Sequence, residues 1–336
     1  MSSIRKRRVW GLAALLVALF LACTASMALG SRPISPTFLI SFFRGDATFP
    51  SPEYSTIVEH RIPRTLIGLL IGLATGSAGA VIQGHTRNPL ADPGLLGTSS
   101  GAAFAVVIAI TYLGVHGVHG MAIAALLGAL GATIITFLVA SVGKEHAHPL
   151  TLILVGAALS AALSSFTTMI VLSDAVTLDT MRLWTVSSLE GRDMPIFWGI
   201  LPFILIGLVL AVGNAPQINM LNLGDDTASA LGVHTSMARF VGISSIAILV
   251  GASTAAAGPI AFIGLMVPHI ARTLTGPDYR WVLPYSAIAG ATLLLTADVI
   301  GRVIIRPAEL HMGIMLAIIG APLCLSVLWN RKRWSL

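Results

Sequence analysis

Pro195-Ile-Phe-Trp-Gly-Ile-Leu-Pro-Phe-Ile-Leu-Ile-Gly-Leu-Val-Leu-Ala-Val-Gly213 contains no charged side chain. A helix of roughly 20 apolar residues crosses the hydrocarbon core of a bilayer. A soluble domain has little use for such a run, because water would face part of it. The composition extends this reading to the whole chain of 336 residues. It is 55% hydrophobic and 10% charged, whereas soluble domains carry about 25% charged residues. The net charge of +6 does not point to a nucleic-acid groove. Its basic clusters, Arg5-Lys6-Arg7-Arg8 and Arg331-Lys332-Arg333, flank apolar runs, as membrane-anchoring charges do. Cys23 and Cys324 both lie in apolar runs and make no disulfide framework.

Working outward, ten runs of spanning character are expected, at about 9–29, 63–84, 98–114, 121–142, 150–172, 195–213, 238–257, 259–274, 282–301 and 310–329. The expectation is one all-α transmembrane domain over 1–336. Basic flanks favour the cytoplasmic side, so both termini are expected inside. Twelve Lys/Arg then lie inside (5–8, 87, 144, 239, 272, 280, 331–333) and eight outside. The first run follows a basic head, and Phe20-Leu21-Ala22-Cys23 faintly resembles a lipoprotein cleavage site. Its length favours an uncleaved first helix over 9–29.

Shifting the chain by 179 residues overlays Gly72 on Gly251, Thr75 on Thr254 and Ala78-Gly79 on Ala257-Gly258. Pro89, Leu95 and Gly97 fall on Pro268, Leu274 and Gly276. The second and seventh spans run in opposite directions, so this weak repeat is inverted, a common transporter construction. Gly68, Gly72 and Gly76 share one helix face, a pattern that lets helices approach closely. Asn88-Pro and Asp92-Pro break the chain after the second span, and Thr98-Ser-Ser100 can start the next helix.

No G-x-x-x-x-G-K-[ST] is present, so ATP hydrolysis is not expected in this chain. No metal site is expected either. His116/His119 and His146/His148 read as loop histidines. Ion-driven carriers bury acids at membrane depth. Here Asp298 is the exception, and Arg302 one turn later can neutralise it. The inside stretch 219–236 carries Asp225-Asp226 and the apolar Leu221, Leu223, Ala228 and Leu231 between Gly224 and Gly232. It reads as a short exposed helix suited to a partner's groove.

Five groups of residues in order resemble the FecCD-type permease family of type II ABC importers, which take up iron–siderophores, haem or vitamin B12. They are Arg61-Ile-Pro-Arg64; Gln83-Gly84 with Asn88-Pro-Leu-Ala-Asp-Pro-Gly-Leu-Leu-Gly97; Leu223-Gly-Asp-Asp-Thr-Ala-Ser-Ala-Leu-Gly232; Gly258-Pro-Ile-Ala-Phe-Ile-Gly-Leu-Met-Val-Pro-His-Ile-Ala-Arg272; and Ala297-Asp298 with Arg302, Glu309-Leu310, Gly313 and Gly320-Ala-Pro322. The family often has Phe-Val within the fourth, where this chain has Ala261-Phe-Ile263.

The resemblance implies about ten helices per subunit, a permease pair and two ATPase subunits that bind ATP and Mg, with no cofactor in this chain. It implies that Gly224, Asp225, Asp226, Thr227, Ala228, Leu231 and Gly232 form the coupling helix against an ATPase. It further implies that Arg61, Arg64 and Arg302 dock acidic residues of an extracytoplasmic binding protein, and that Thr151 lies at a cytoplasmic gate. Trp184-Thr-Val-Ser-Ser-Leu-Glu-Gly-Arg192 looks more like siderophore than vitamin B12 permeases. The expected function is ferric-siderophore import across a prokaryotic cytoplasmic membrane. Haem or vitamin B12 import by the same machinery is the first alternative. A stand-alone ion-coupled carrier is the second.

Overall fold

The structure, a computed structural model, describes residues 3–46, 51–142 and 149–329. Its elements are helical throughout the described residues. They are α1 (Ser3–Ala28), α2 (Pro36–Arg44), α3 (Pro52–Ser55) continuing through a π-turn (Thr56–Arg61) into α4 (Ile62–Thr86), α5 (Thr98–Leu113), α6 (Val118–Ser141), α7 (Pro149–Ser173), α8 (Ala175–Thr185), α9 (Met194–Leu221), α10 (Asp225–Ala230), α11 (Thr235–Ala257), α12 (Ile263–Thr275), α13 (Tyr279–Ile304) and α14 (Met312–Trp329). Helix is the form that satisfies backbone N–H and C=O groups where no water is available.

Ten of these helices coincide with the ten apolar runs. Seven, counting α3 to α4 as one, are long and apolar enough to cross a membrane. One expectation needs correction. The run 259–274 is helical only from Ile263 to Thr275. Gly258 and Phe262 take positive φ angles of 85° and 69°, and α12 begins only at Ile263. At 13 residues and about 1.5 Å per residue it rises about 20 Å, short of the roughly 30 Å core. Gly-Pro at 258–259 breaks the chain before hydropathy does.

The inverted repeat is visible in the packing. Helices α4 and α11 form the centre, with 83% and 78% of their most apolar windows buried, against 11% for α1 and for α7. They run antiparallel, since His85 at the end of α4 lies against Gly242 near the start of α11. Helix α4 packs on α13 and α12 as α11 packs on α6 and α5. The repeat-matched glycines occupy matching seams. A Cβ on Gly72 would fall 2.3 Å from Ala291 Cα in α13, and one on Gly251 would fall 3.3 Å from Ala129 Cβ in α6.

The α4 glycine stripe is therefore a packing device. A Cβ at Gly76 would stand 2.1 Å from the Ser286 carbonyl oxygen, whereas Gly131 has open space around it. Gly76→Val is expected to force α4 from α13 at a cost of about 1–3 kcal/mol or more. Gly131→Ala should be neutral or mildly stabilising. Thermal unfolding of the detergent-purified protein compares them, and equal melting would contradict this seam.

Helix α1 packs along α13, with the Tyr285 hydroxyl donating to the Arg8 carbonyl. Arg7 and Arg8 donate to the carbonyls of Thr273 and Thr275 at 3.0 and 2.8 Å. The chain thus begins at the end of the bundle where α4 stops and α11 starts. Helix α14 starts at the opposite end, where Gly313 meets Val186 and Ser187.

Candidate functional site

The two ends of the bundle differ in chemistry. At one end lies a cavity of about 600 Å³ lined by Arg32, His60, Arg61, Arg64, Arg192 and Arg302, with Glu190 and Glu309. Its three sequence-identified arginines are only 4%, 9% and 2% exposed. Each is held by its own chain. Arg61 donates to the carbonyls of Met27, Ala28 and Arg32 at 2.6 to 2.8 Å. A cation there satisfies the last carbonyls of α1 and opposes its dipole. Arg64 meets both Asp298 oxygens, with Nη2–Oδ1 at 2.7 Å and Nε–Oδ2 at 3.1 Å, and reaches Glu309 Oε2 at 2.7 Å. Arg302 shares Asp298 at 3.0 Å and donates to Ser26 Oγ and the Ser26 carbonyl.

The i,i+4 pair expected from sequence is thus present, but it belongs to a four-charge network. Arg61, Arg64 and Arg302 form the floor of the cavity and are not free side chains on a surface. Arg32 and Glu190 are exposed, and Arg192 is half-buried. The Nε of Arg192 is buried without a hydrogen-bond partner.

At the opposite end, α10 projects between α9 and α11 as a six-residue helix. Gly224 enters it at φ 110°, and Gly232 leaves it at φ 83°, in the region that favours glycine. Asp226, Thr227, Leu231 and Gly232 face outward. Ala228 is fully buried and packs with Leu221 and Ala238, so it lies on the inner face. The Asp225 side chain is 36% exposed, yet both of its oxygens are engaged. One of its oxygens meets Arg87 and the other Arg239. Burial alone would raise the Asp225 pKa, but Arg239 and then Arg87 outweigh it and hold the carboxyl below its ordinary range. The folded-state value is lowered, so the clamp is intact above the ordinary carboxylate range and is lost as pH falls through the lowered value.

Residues 15–330 match the FecCD transport family. The chain belongs to the FecCD transport family. The permease is 39% identical over 331 residues to the ferric enterobactin transport system permease protein FepD of Escherichia coli (strain K12), with 98% of each chain covered. It is 38% identical over 270 residues to the Fe(3+) dicitrate transport system permease protein FecD of the same organism, covering 80% of this chain and 84% of that one. A solved structure described as an inward-facing metal-chelate type ABC transporter superposes with a TM-score of 0.83 at 27% identity, covering 95% and 98% of the two chains.

Two further arrangements lie at the same end of the bundle as α10. Sequence reasoning identified Gln83 only as part of a motif. In the structure it is a hub. Its Nε2 donates to the carbonyls of Leu265 at 2.8 Å, Gly264 at 3.2 Å and Ala91 at 3.4 Å, and its Oε1 accepts from Arg272. Arg272 also donates to the Tyr279 hydroxyl at 3.1 Å. Beside it, His85 Nε2 and Asn214 Nδ2 lie 2.8 Å apart, and Asn214 donates to the Ala238 carbonyl at 3.0 Å.

Thr151 stands in the first turns of α7 and is half-buried, beside the buried Leu152. His146 and His148 lie outside the described residues. A Cβ on Gly156 would stand 2.0 Å from the Leu95 carbonyl oxygen, so α7 rests on the Pro93–Leu96 turn. His119 pairs with Asp193 at 3.4 Å on an exposed surface.

Proposed function

We propose that this permease translocates a ferric chelate of the siderophore type across a prokaryotic cytoplasmic membrane. On this reading a second permease subunit completes the pathway, and two separate ATPase subunits bind ATP and Mg. An extracytoplasmic protein delivers the chelate to the Arg61 end. Both termini then lie in the cytoplasm with α10. The observation that carries the proposal is the polarity of the bundle: an arginine-rich cavity at one end and a short projecting helix at the other. The names of FepD and FecD support the ferric substrate. A stand-alone ion-coupled carrier is disfavoured, because the buried Asp298 is fully used by Arg64 and Arg302.

Coupling is assigned to the outer face of α10, namely Asp226, Thr227, Leu231 and Gly232. Gly224, Asp225 and Ala228 supply its hinge and seat. Thr151 is assigned to the gate. The exposed Ser164, Ser165 and Thr168 on α7 suit a face turned to a pathway more than one turned wholly to lipid. Docking is assigned to the cavity, with Arg61, Arg64 and Arg302 as its floor and Arg32 and Arg192 as the charges within easiest reach. Arginine forks hold carboxylates bidentately.

The test is ATP hydrolysis in lipid by the permease with its ATPase, with and without binding protein loaded with a ferric siderophore, haem or vitamin B12. Stimulation by the ferric siderophore is expected. The Arg32→Glu/Arg192→Glu pair should lower that stimulation and its salt sensitivity, because rim charges act mainly on encounter. Uptake by the permease alone, driven by a proton gradient, would overturn the reading.

A further inference from the structure

Asp225 is the residue that the sequence most invites one to place against an ATPase, as the first acid of a short exposed helix. The structure gives its carboxylate another use. Both oxygens are occupied within the chain, by Arg87 at the end of α4 and Arg239 in the first turns of α11. Arg239 is 6% exposed at its side chain, so one arm of the clamp is rooted inside the bundle. Arg87 takes a left-handed φ of 50° as it closes α4, a costly conformation for a residue with a Cβ. From there its side chain reaches across to α10.

We propose that Asp225 is a positioning residue: the Arg87–Asp225–Arg239 clamp is the joint through which α10 acts on both repeat halves, and Asp225 does not itself touch the ATPase. This rests on the coupling role proposed above for α10.

Three observations support it. A six-residue helix is too short to be stable or oriented by itself. Glycines with positive φ at both ends turn the chain sharply into and out of α10, so neither neighbouring helix continues into it. Its apolar seat is small, since of its residues only Ala228 is buried. The ionic pin therefore sets its angle. The arms of the pin end on α4 and α11, the two central antiparallel helices that lead the two repeats.

A contact path runs onward from Arg87. The chain continues from it through Asn88 and Pro89 into the Pro93–Leu96 turn. Helix α7 rests on that turn through Gly156, one and a half turns from Thr151. A push on the outer face of α10 is thereby delivered to the base of the helix that carries the gate.

The experiment uses the full complex, permease with ATPase and binding protein, reconstituted in vesicles. Uptake per ATP hydrolysed, ATPase binding and melting temperature are read together. Asp225→Asn, Arg87→Ala and Arg239→Ala are each expected to lower uptake per ATP on the order of tenfold, with ATPase binding unchanged. The Asp225→Asn/Arg87→Ala pair should be no worse than either single change, and Asp225→Glu should recover most of the loss. Arg87 is exposed, so its variant keeps the comparison alive should Arg239→Ala fail to fold.

Weakened ATPase binding by Asp225→Asn but not by Arg87→Ala would make Asp225 a partner contact and overturn the proposal. Unchanged uptake per ATP in both would also overturn it. Leu231→Asp tests the underlying reading separately: intact ATPase binding and intact uptake in that variant would remove α10 from coupling altogether, whatever the clamp does.

Discussion

Asp298→Ala is expected to destabilise the folded permease by about 3–5 kcal/mol, the range for removing one partner of a buried ion pair. The residue is 1% exposed. It accepts from Arg64 at both oxygens and from Arg302 at one. Without it, two buried guanidinium groups share one remaining acid, Glu309, which contacts only Arg64. Arg302 keeps Ser26 and nothing ionised. The expected readout is a large fall in detergent melting temperature and in the yield of monodisperse protein. Asp298→Asn preserves shape but not charge and should behave almost as badly. Glu309→Gln should be milder, since that side chain is 15% exposed and water can replace it. The double change Asp298→Ala/Arg302→Met should regain much of the loss, because it leaves Arg64 paired with Glu309 and no stranded cation. Equal melting of Asp298→Ala and the parent protein would mean that the network contributes nothing to stability.

The same network marks where sequence reasoning stopped. Asp298 and Arg302 are one helical turn apart, so their pairing could be read from spacing. Arg64 is 234 positions from Asp298, and no local pattern announces a partner at that distance. The resemblance makes Arg61 a docking arginine at the start of the second span. Its use as a cap for α1 depends on where α1 ends in space. The ten helices were legible because lipid demands long apolar runs, and the matched glycines because close packing demands small residues. The break at Gly258 was hidden, since hydropathy is blind to φ angles. Likewise Asp225 meets its two arginines, and Ala228 faces inward, because of how α10 is seated between α9 and α11. Six residues make too little periodicity to predict that seat.

Gln83→Leu is the second change expected to be severe, for a reason rooted in the broken eighth run. Pro268 lies inside α12 and has no N–H, so the Gly264 carbonyl four residues earlier lacks its regular helical donor, and lipid would offer none. Gln83 meets this need from α4. Its amide donates to the Gly264 and Leu265 carbonyls at the start of α12 and to Ala91 in the turn after α4. Its oxygen receives the Arg272 guanidinium from the other end of α12. One side chain thus ties both ends of the half-helix to the central helix. Leucine fits the volume but strands the carbonyls and one face of a cation. Each unmade bond costs about 1–3 kcal/mol, so the sum rivals that of Asp298→Ala. Gln83→Glu restores an acceptor for Arg272 but sets a carboxylate against three carbonyl oxygens, and should recover only part of the loss. Uptake should fall further than melting in both variants, because α12 and the Ala91 turn sit at the end of the bundle that bears α10, to which coupling is assigned as a proposal. Parallel losses would mean that Gln83 holds the fold without shaping transport.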